Sequence, residues 1–234
     1  MYLNTIRFNN RHALSIRVQQ SAELDAAIKT LGLESPRPVI VLIGGAGLVK
    51  PEEQAAIQAA TQQLAAAAEQ FGAVVIDGGT RSGVMAAVGQ ARAEAGYRFP
   101  LIGVATEATV TWLGRVPGWQ RRFRDRGRGT LDPNHTHFIL VPGSEWGDES
   151  SWIAQAASQL AGQLPSVAVL MNCGDITLNA DLPNNLHAGR QVLVVDGTGR
   201  AADQLAAEPP ADDQVQIVRQ DTLYQALQSI LVTS

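Results

Sequence analysis

The feature that most restricts how this chain can fold is a recurring alternation. Short, wholly apolar runs end in glycine or a polar turn, and most are followed by a stretch of helical character. The runs cover residues 39–43, 73–76, 101–104, 138–141, 167–171, 192–195 and 215–218, and the helical segments 51–71, 83–95, 149–163, 201–206 and 222–232. A strand that is apolar on both faces must be covered on both faces, and strands that alternate with helices pair in parallel. The pattern predicts an α/β fold built on a doubly wound, mostly parallel sheet of about seven strands. No linker or low-complexity segment interrupts it, so residues 1–234 read as one domain.

Residues 1–38 form an extension ahead of the repeat. Residues 5–8 and 13–18 alternate polar and apolar side chains, and Asn9-Asn10 between them suits a tight turn, so an N-terminal β-hairpin is predicted. Residues 21–31 have helical character, and Pro36-Arg37-Pro38 then resets the chain. Hydrophobic residues make up 45% of the chain and charged residues 17%, a balance able to offset the entropy of ordering it. The formal net charge of −4 argues against a nucleic-acid binder, which carries a basic face. No run reaches the roughly 18 apolar residues of a membrane span, and the opening residues lack the apolar core of a signal peptide. Cys173 is the only cysteine, which excludes an intrachain disulfide and fits a reducing compartment. A cytoplasmic protein is expected.

Ligands of open parallel sheets bind beyond the carboxyl ends of the strands. Here those ends collect glycine: Gly44-Gly45-Ala46-Gly47, the segment from Asp77 to Gly83 (DGGTRSG), Pro142-Gly143-Ser144, Asn172-Cys173-Gly174-Asp175 and Asp196-Gly197-Thr198-Gly199-Arg200. Glycine lets backbone amides approach an anion, and a helix that starts after the turn adds its positive dipole end. Thr80, Ser82 and Thr198 offer hydroxyl donors, and Arg200 offers a bidentate phosphate contact. Neither GxGxxG nor GxxxxGK[ST] is present, so no dinucleotide or nucleotide-triphosphatase fingerprint is claimed. The connections 105–135, with Trp112, Trp119 and an arginine cluster, and 172–190 are long enough to be binding loops or subunit contacts. A homo-oligomer is expected.

The segments DGGTRSGVM (77–85), LDPNHTHFILVP (131–142) and VDGTGRAAD (195–203) resemble the SLOG superfamily. Within it they are most similar to the branch that forms the N-terminal cytosolic domain of TRPM-type channels (LSDAT-type), here as a freestanding prokaryotic version. The resemblance runs from Val39 onward. It implies a Rossmann-like fold that binds a nucleotide-derived ligand such as ADP-ribose, often as a sensor. Carried over residue by residue, it implies contacts from Gly45, Gly79, Thr80, Ser82, Gly83, Val84 and Met85. Asn134, with His135 beside it, and Gly197, Thr198, Gly199 and Arg200 complete the set. Another branch, the LOG-type phosphoribohydrolases, places an Arg-Lys pair before the fourth strand and PGGxGTxxE after it. This chain instead has Asp132-Pro133-Asn134-His135 and PGSEWGDES from Pro142 to Ser150. Glu145, Asp148 and Glu149 are then the catalytic candidates, should the chain be an enzyme.

His135 and His137 flank Thr136 at the start of a strand, which puts both on one face. No acidic or cysteine cluster accompanies them, so no metal is expected, and a histidine bonding the loop backbone or a ligand hydroxyl is the favoured reading. The run from Arg121 to Arg128 carries five arginines and reads as a solvated loop or a phosphate-facing lid. Cys173 reads as a buried thiol. Three functions are open. The first is a binding module for a nucleotide or ADP-ribose-like small molecule, with no cofactor required. The second is a hydrolase cleaving an N-glycosidic or phosphate bond of that ligand, and the third is an assembly platform. They are ranked in that order, because the convergent glycines find no use in the third.

Overall fold

The computed structural model describes residues 2–45, 49–115 and 127–232. Its strands are β1 (Leu3–Arg7), β2 (His12–Arg17), β3 (Val39–Gly44), β4 (Val74–Asp77), β5 (Leu101–Thr106), β6 (Val110–Thr111), β7 (Gly129–Thr130), β8 (His137–Val141), β9 (Ser166–Met171), β10 (Gln191–Asp196) and β11 (Val215–Arg219). Its helices are α1 (Leu24–Thr30), α2 (Pro51–Gln70), α3 (Gly83–Glu94), α4 (Ser150–Ala161), α5 (Leu182–His187), α6 (Ala201–Ala207) and α7 (Leu223–Leu231). All seven predicted apolar runs are strands. Among the described residues no helix is long and apolar enough to cross a membrane.

One sheet holds nine strands in the order β1-β2-β8-β5-β4-β3-β9-β10-β11. Only β1 with β2 pairs antiparallel; the other pairings are parallel. The central strands are apolar on both faces because both faces are covered. Along β3, Val39, Val41 and Ile43 enter one core with α1, α4 and α6, whereas Ile40 and Leu42 enter the other with α2, α3 and α7. In α2 the buried positions Ile57, Ala60, Thr61, Leu64, Ala67 and Ala68 recur at three- and four-residue spacing, which lays one helical face on the sheet.

Chain order reverses at β3. Strands β4, β5 and β8 lie on one side of it, and the chain then crosses by α4 to β9 on the other side. The cleft between the carboxyl ends of β3 and β9 is the topological switch point, where ligands of such sheets bind.

Two expectations are refined. The N-terminal hairpin is part of the sheet: β2 pairs in parallel with β8, from Leu14 opposite His137 to Arg17 opposite Leu140. That raises the strand count from about seven to nine. Ala13, Ile16 and Val18 are buried as a result, but their alternation could not reveal which edge they would cover. The connection 172–190, read as a long polar binding loop or subunit contact, is mostly helical: a π-helical turn at Thr177–Asp181 runs into α5. Ala46, Trp119, Arg121, Arg122, Arg124 and Arg126 lie outside the described residues.

Candidate functional site

The turns beyond the switch point enclose a cavity of about 470 Å³, within the range of small-molecule sites. Gly44 and Gly45 line it from the end of β3, and Gly78, Thr80 and Met85 from the turn into α3. Trp146, Glu149 and Ile153 enter from the β8–α4 side, and Gly174, Asp175, Ile176, Thr177 and Asp181 from the β9–α5 side. Arg200, at the start of α6, completes the wall. Of the residues expected from sequence, the structure brings together Gly44, Gly45, Thr80, Met85, Gly174, Arg200 and Glu149.

Arg200 is built into this wall. Its φ is +59°, a left-handed backbone that costs energy in a residue with a Cβ and that the surrounding structure must hold. A Cβ at Gly45 would stand 2.5 Å from Nη1, and one at Gly174 would collide with Nη2. Glycine at the ends of β3 and β9 thus makes room for a cation. The guanidinium donates one long bond, from Nη1 to the Asn172 carbonyl at 3.5 Å. No carboxylate among the described residues forms an ion pair with it.

The acidic side of the cavity departs from expectation. Glu149 faces in, accepting from the Thr106 hydroxyl at 2.9 Å and the Gly147 amide at 3.2 Å. Glu145 is exposed and does not line the cavity. Asp148 turns away: its Oδ2 accepts from the amides of Ser144 and Glu145 at 2.8 and 3.0 Å. Those two bonds hold its carboxyl below the usual range. Asp181, which sequence reasoning missed, lines the cavity together with Glu149. Burial pushes its carboxyl up to about 6; a Ser150 hydrogen bond opposes this and the charge of Glu149 reinforces it. The signal was present as Asp181-Leu182-Pro183, which suits a helix in sequence, and Asp181 stands where the π-helical turn passes into α5. Trp146 and Ile176, exposed by 40% and 47%, also line the cavity without having been singled out.

In several of the glycine turns the protein itself satisfies backbone amides. Gly197 and Gly199 donate to Asp203 Oδ1 at 2.9 and 3.0 Å, and Gly79 donates to Asp77 Oδ1 at 2.6 Å. A turn without a ligand must bond its own amides, and a carboxylate nearby in sequence does so here. Gly79 is small because a Cβ would meet Gly103 and Phe138 at 2.8 and 2.9 Å. Gly143 lies against Asp148 in the same sense. Thr198 is buried, its hydroxyl donating to the Val195 carbonyl at 2.7 Å, and Asp196 is exposed at the end of β10. Ser82 pairs with the Thr80 hydroxyl at 3.0 Å, Val84 is buried beneath Gly44, and Gly83 faces a different groove between α2 and α3.

Asn134 and His135 do not reach the cavity. They precede β8, and the Asn134 side chain accepts from Arg11 of the N-terminal extension. His135 is buried between two carboxylates, with Nε2 2.8 Å from Asp77 Oδ1 and Nδ1 3.0 Å from Asp132 Oδ2. Burial presses its pKa down, but the charge of Asp77 and hydrogen bonds to Asp132 and Asp77 lift it to about 9. It ties β4 to the approach to β8 and does not line the cavity. His137 differs: burial lowers it to about 4, and its Nδ1 lies 2.8 Å from the Thr136 hydroxyl. Cys173 is buried, and burial raises its thiol to about 11. Arg128 donates to the Ala108 carbonyl at 2.8 Å.

Sheet order and cavity define the class: a Rossmann-like α/β protein with a small-molecule-sized pocket at its switch point. The chain belongs to the family described as SLOG in TRPM, prokaryote, whose model matches residues 37–232. It is 28% identical over 190 residues to transient receptor potential cation channel subfamily M member 2 of Rattus norvegicus, covering 67% of this chain and 12% of that protein. It is 32% identical over 208 residues to the subfamily M member-like 2 protein of Nematostella vectensis, covering 75% and 13%. The chain thus spans about an eighth of the length of these relatives. Among solved structures it resembles the molybdenum cofactor carrier protein of Chlamydomonas reinhardtii, with a TM-score of 0.56, 18% identity, and coverage of 84% of this chain and 99% of that one. The molybdenum cofactor binding protein of Rippkaea orientalis gives 0.55, 16%, 82% and 96%. At such identities the likeness concerns the fold.

Proposed function

We propose that this chain binds a nucleotide-derived small molecule, ADP-ribose-like or a nucleoside phosphate, in the switch-point cavity, and that it acts as a binding module. The observation that carries the reading is Arg200: a guanidinium without a carboxylate partner among the described residues, seated between Gly45 and Gly174 in a cavity wall. A ligand phosphate completes its hydrogen bonding, and a charge-assisted contact of this kind is among the stronger ones a protein offers. Across the cavity, Glu149 and Asp181 accept hydroxyls of the ribose, and Trp146 and Ile176 offer apolar surface to the base. Family membership supports this reading, as do two structural neighbours named as a molybdenum cofactor binding protein and a molybdenum cofactor carrier protein. A thermal-shift series with ADP-ribose, AMP and NAD tests it: a ligand that binds only the folded state raises Tm with the logarithm of its concentration. No shift with any of them contradicts the reading.

One observation favours a second reading, hydrolysis of the N-glycosidic bond: two carboxylates, Glu149 and Asp181, share the cavity, and one is raised toward neutrality. Such a pair can divide acid and base roles. The binding module predicts only traces of free adenine or ribose 5-phosphate when the protein is incubated with AMP or ADP-ribose and the products are separated by chromatography. Turnover that falls by about 10²-fold or more in Glu149→Gln or Asp181→Asn, the range for general acid–base help, would establish the hydrolase instead.

A further inference from the structure

Glu53 stands on the first turn of α2, buried and outside the cavity lining, yet it is wired to the cavity's cation. Its Oε2 accepts from Asn172 Nδ2 at 2.9 Å and from the Lys50 amide at 3.0 Å. The same Asn172 Nδ2 donates to the Thr198 carbonyl at 2.8 Å, and the Asn172 amide donates to the Thr198 hydroxyl at 3.1 Å. Asn172 has φ +42°; it and Arg200 are the non-glycine residues with positive φ among those described, and the bond from Arg200 Nη1 joins them. Gly199 has no room for a Cβ because the Glu53 carboxyl group occupies that place. The Asn172 Oδ1 atom is buried without a partner, a further cost accepted to keep this arrangement. Two adjoining strained backbones persist only where their surroundings over-determine them, and the acceptor that closes the clamp is the Glu53 carboxylate.

We propose that Glu53 is a positioning residue: through Asn172 it holds the ends of β9 and β10 in the strained backbone that aims Arg200 into the cavity. The inference rests on the reading of that cavity as the site of an anionic ligand. The Asn172 carbonyl also accepts from the Gly45 amide at 2.9 Å, so the same asparagine joins the end of β3 to the arginine.

The test is a double-mutant cycle on the full chain, with the Kd for ADP-ribose measured by calorimetry in the wild type, Glu53→Ala, Arg200→Ala and the double variant. Glu53→Ala is expected to weaken binding about tenfold, and to cost nothing more once Arg200 is absent. Additive losses, or unchanged affinity in Glu53→Ala, overturn the proposal. A second readout needs no ligand: the ¹⁵N–¹H NOE of the Arg200 Nε group, assigned by its disappearance in Arg200→Ala. It is expected to be high in the wild type and collapsed in Glu53→Ala. Equal values in the two proteins overturn the proposal, whereas a collapse in a protein that binds none of the probes removes the ligand reading and upholds the positioning role. If alanine prevents folding, Glu53→Gln keeps the shape without the charge and is expected to shift both readouts in the same direction, by less.

Discussion

His135→Ala is expected to cost on the order of 3–5 kcal/mol of folding stability, the range for removing one partner of a buried ionic cluster. Asp77 and Asp132 are both buried, Asp77 Oδ2 already lacks a partner, and without the imidazole between them two carboxylates face each other uncompensated. At roughly 2–4 °C per kcal/mol for a chain of this size, Tm falls by about 6–20 °C. The pH dependence has a definite sign. In the folded protein His135 is raised from its ordinary 6.5 to about 9, so between those values the native state holds a proton that the unfolded chain has released. Stability from this cluster is therefore fully present below about pH 6.5 and is lost as the pH rises through about 9. Urea titrations from pH 6 to 10 should show that decline in the wild type and its absence in His135→Gln. A wild-type profile flat over this interval, or an alanine variant within 1 kcal/mol of wild type, would contradict the assignment.

Gly174→Ala should weaken ligand binding nearly as much as loss of Arg200 itself while sparing the fold. The new methyl group occupies the place of Arg200 Nη2. Gly174 is absent from the positive-φ residues, so alanine meets no backbone penalty there, and what must move is the end of a long side chain. At Gly45 the same change also strikes the Asn172 carbonyl at 2.5 Å and so disturbs backbone as well. The two substitutions separate binding from folding: Gly174→Ala shifts Kd about 10–100-fold with Tm nearly unchanged, whereas Gly45→Ala lowers both. Unaltered affinity in folded Gly174→Ala would mean that the guanidinium is not where the ligand binds.

The sheet was legible because its signal is redundant: a both-faces-apolar strand such as 167–171 admits few other readings between helices. Convergence of the strand ends followed from the parallel topology alone. What the sequence cannot show is whether a glycine turn's amides are free. Gly197 and Gly199 look like an anion cradle until Asp203 is seen to fill it, and Gly79 is small for the sake of Phe138. The burial of His135 away from the cavity was hidden for a related reason, since its reach back to Asp77 spans 58 positions and leaves no local trace. Asp181 was overlooked because a polar stretch without periodicity reads as loop, although Leu182-Pro183 beside it was visible as a helix signal. Glu53 sits three residues into a helix start, where an acidic residue is ordinarily explained by capping, and its second role depends on a contact 119 positions away.

The switch-point cavity is proposed to bind a phosphate-bearing nucleotide derivative through Arg200. Calorimetric titration of ADP-ribose into the wild type and into Arg200→Ala tests it most directly. One site per chain is expected in the wild type, with a loss of about 1.5–3 kcal/mol of binding free energy in the variant, the range for a charge-assisted hydrogen bond. Equal affinity in the two proteins, with the variant folded, would contradict it.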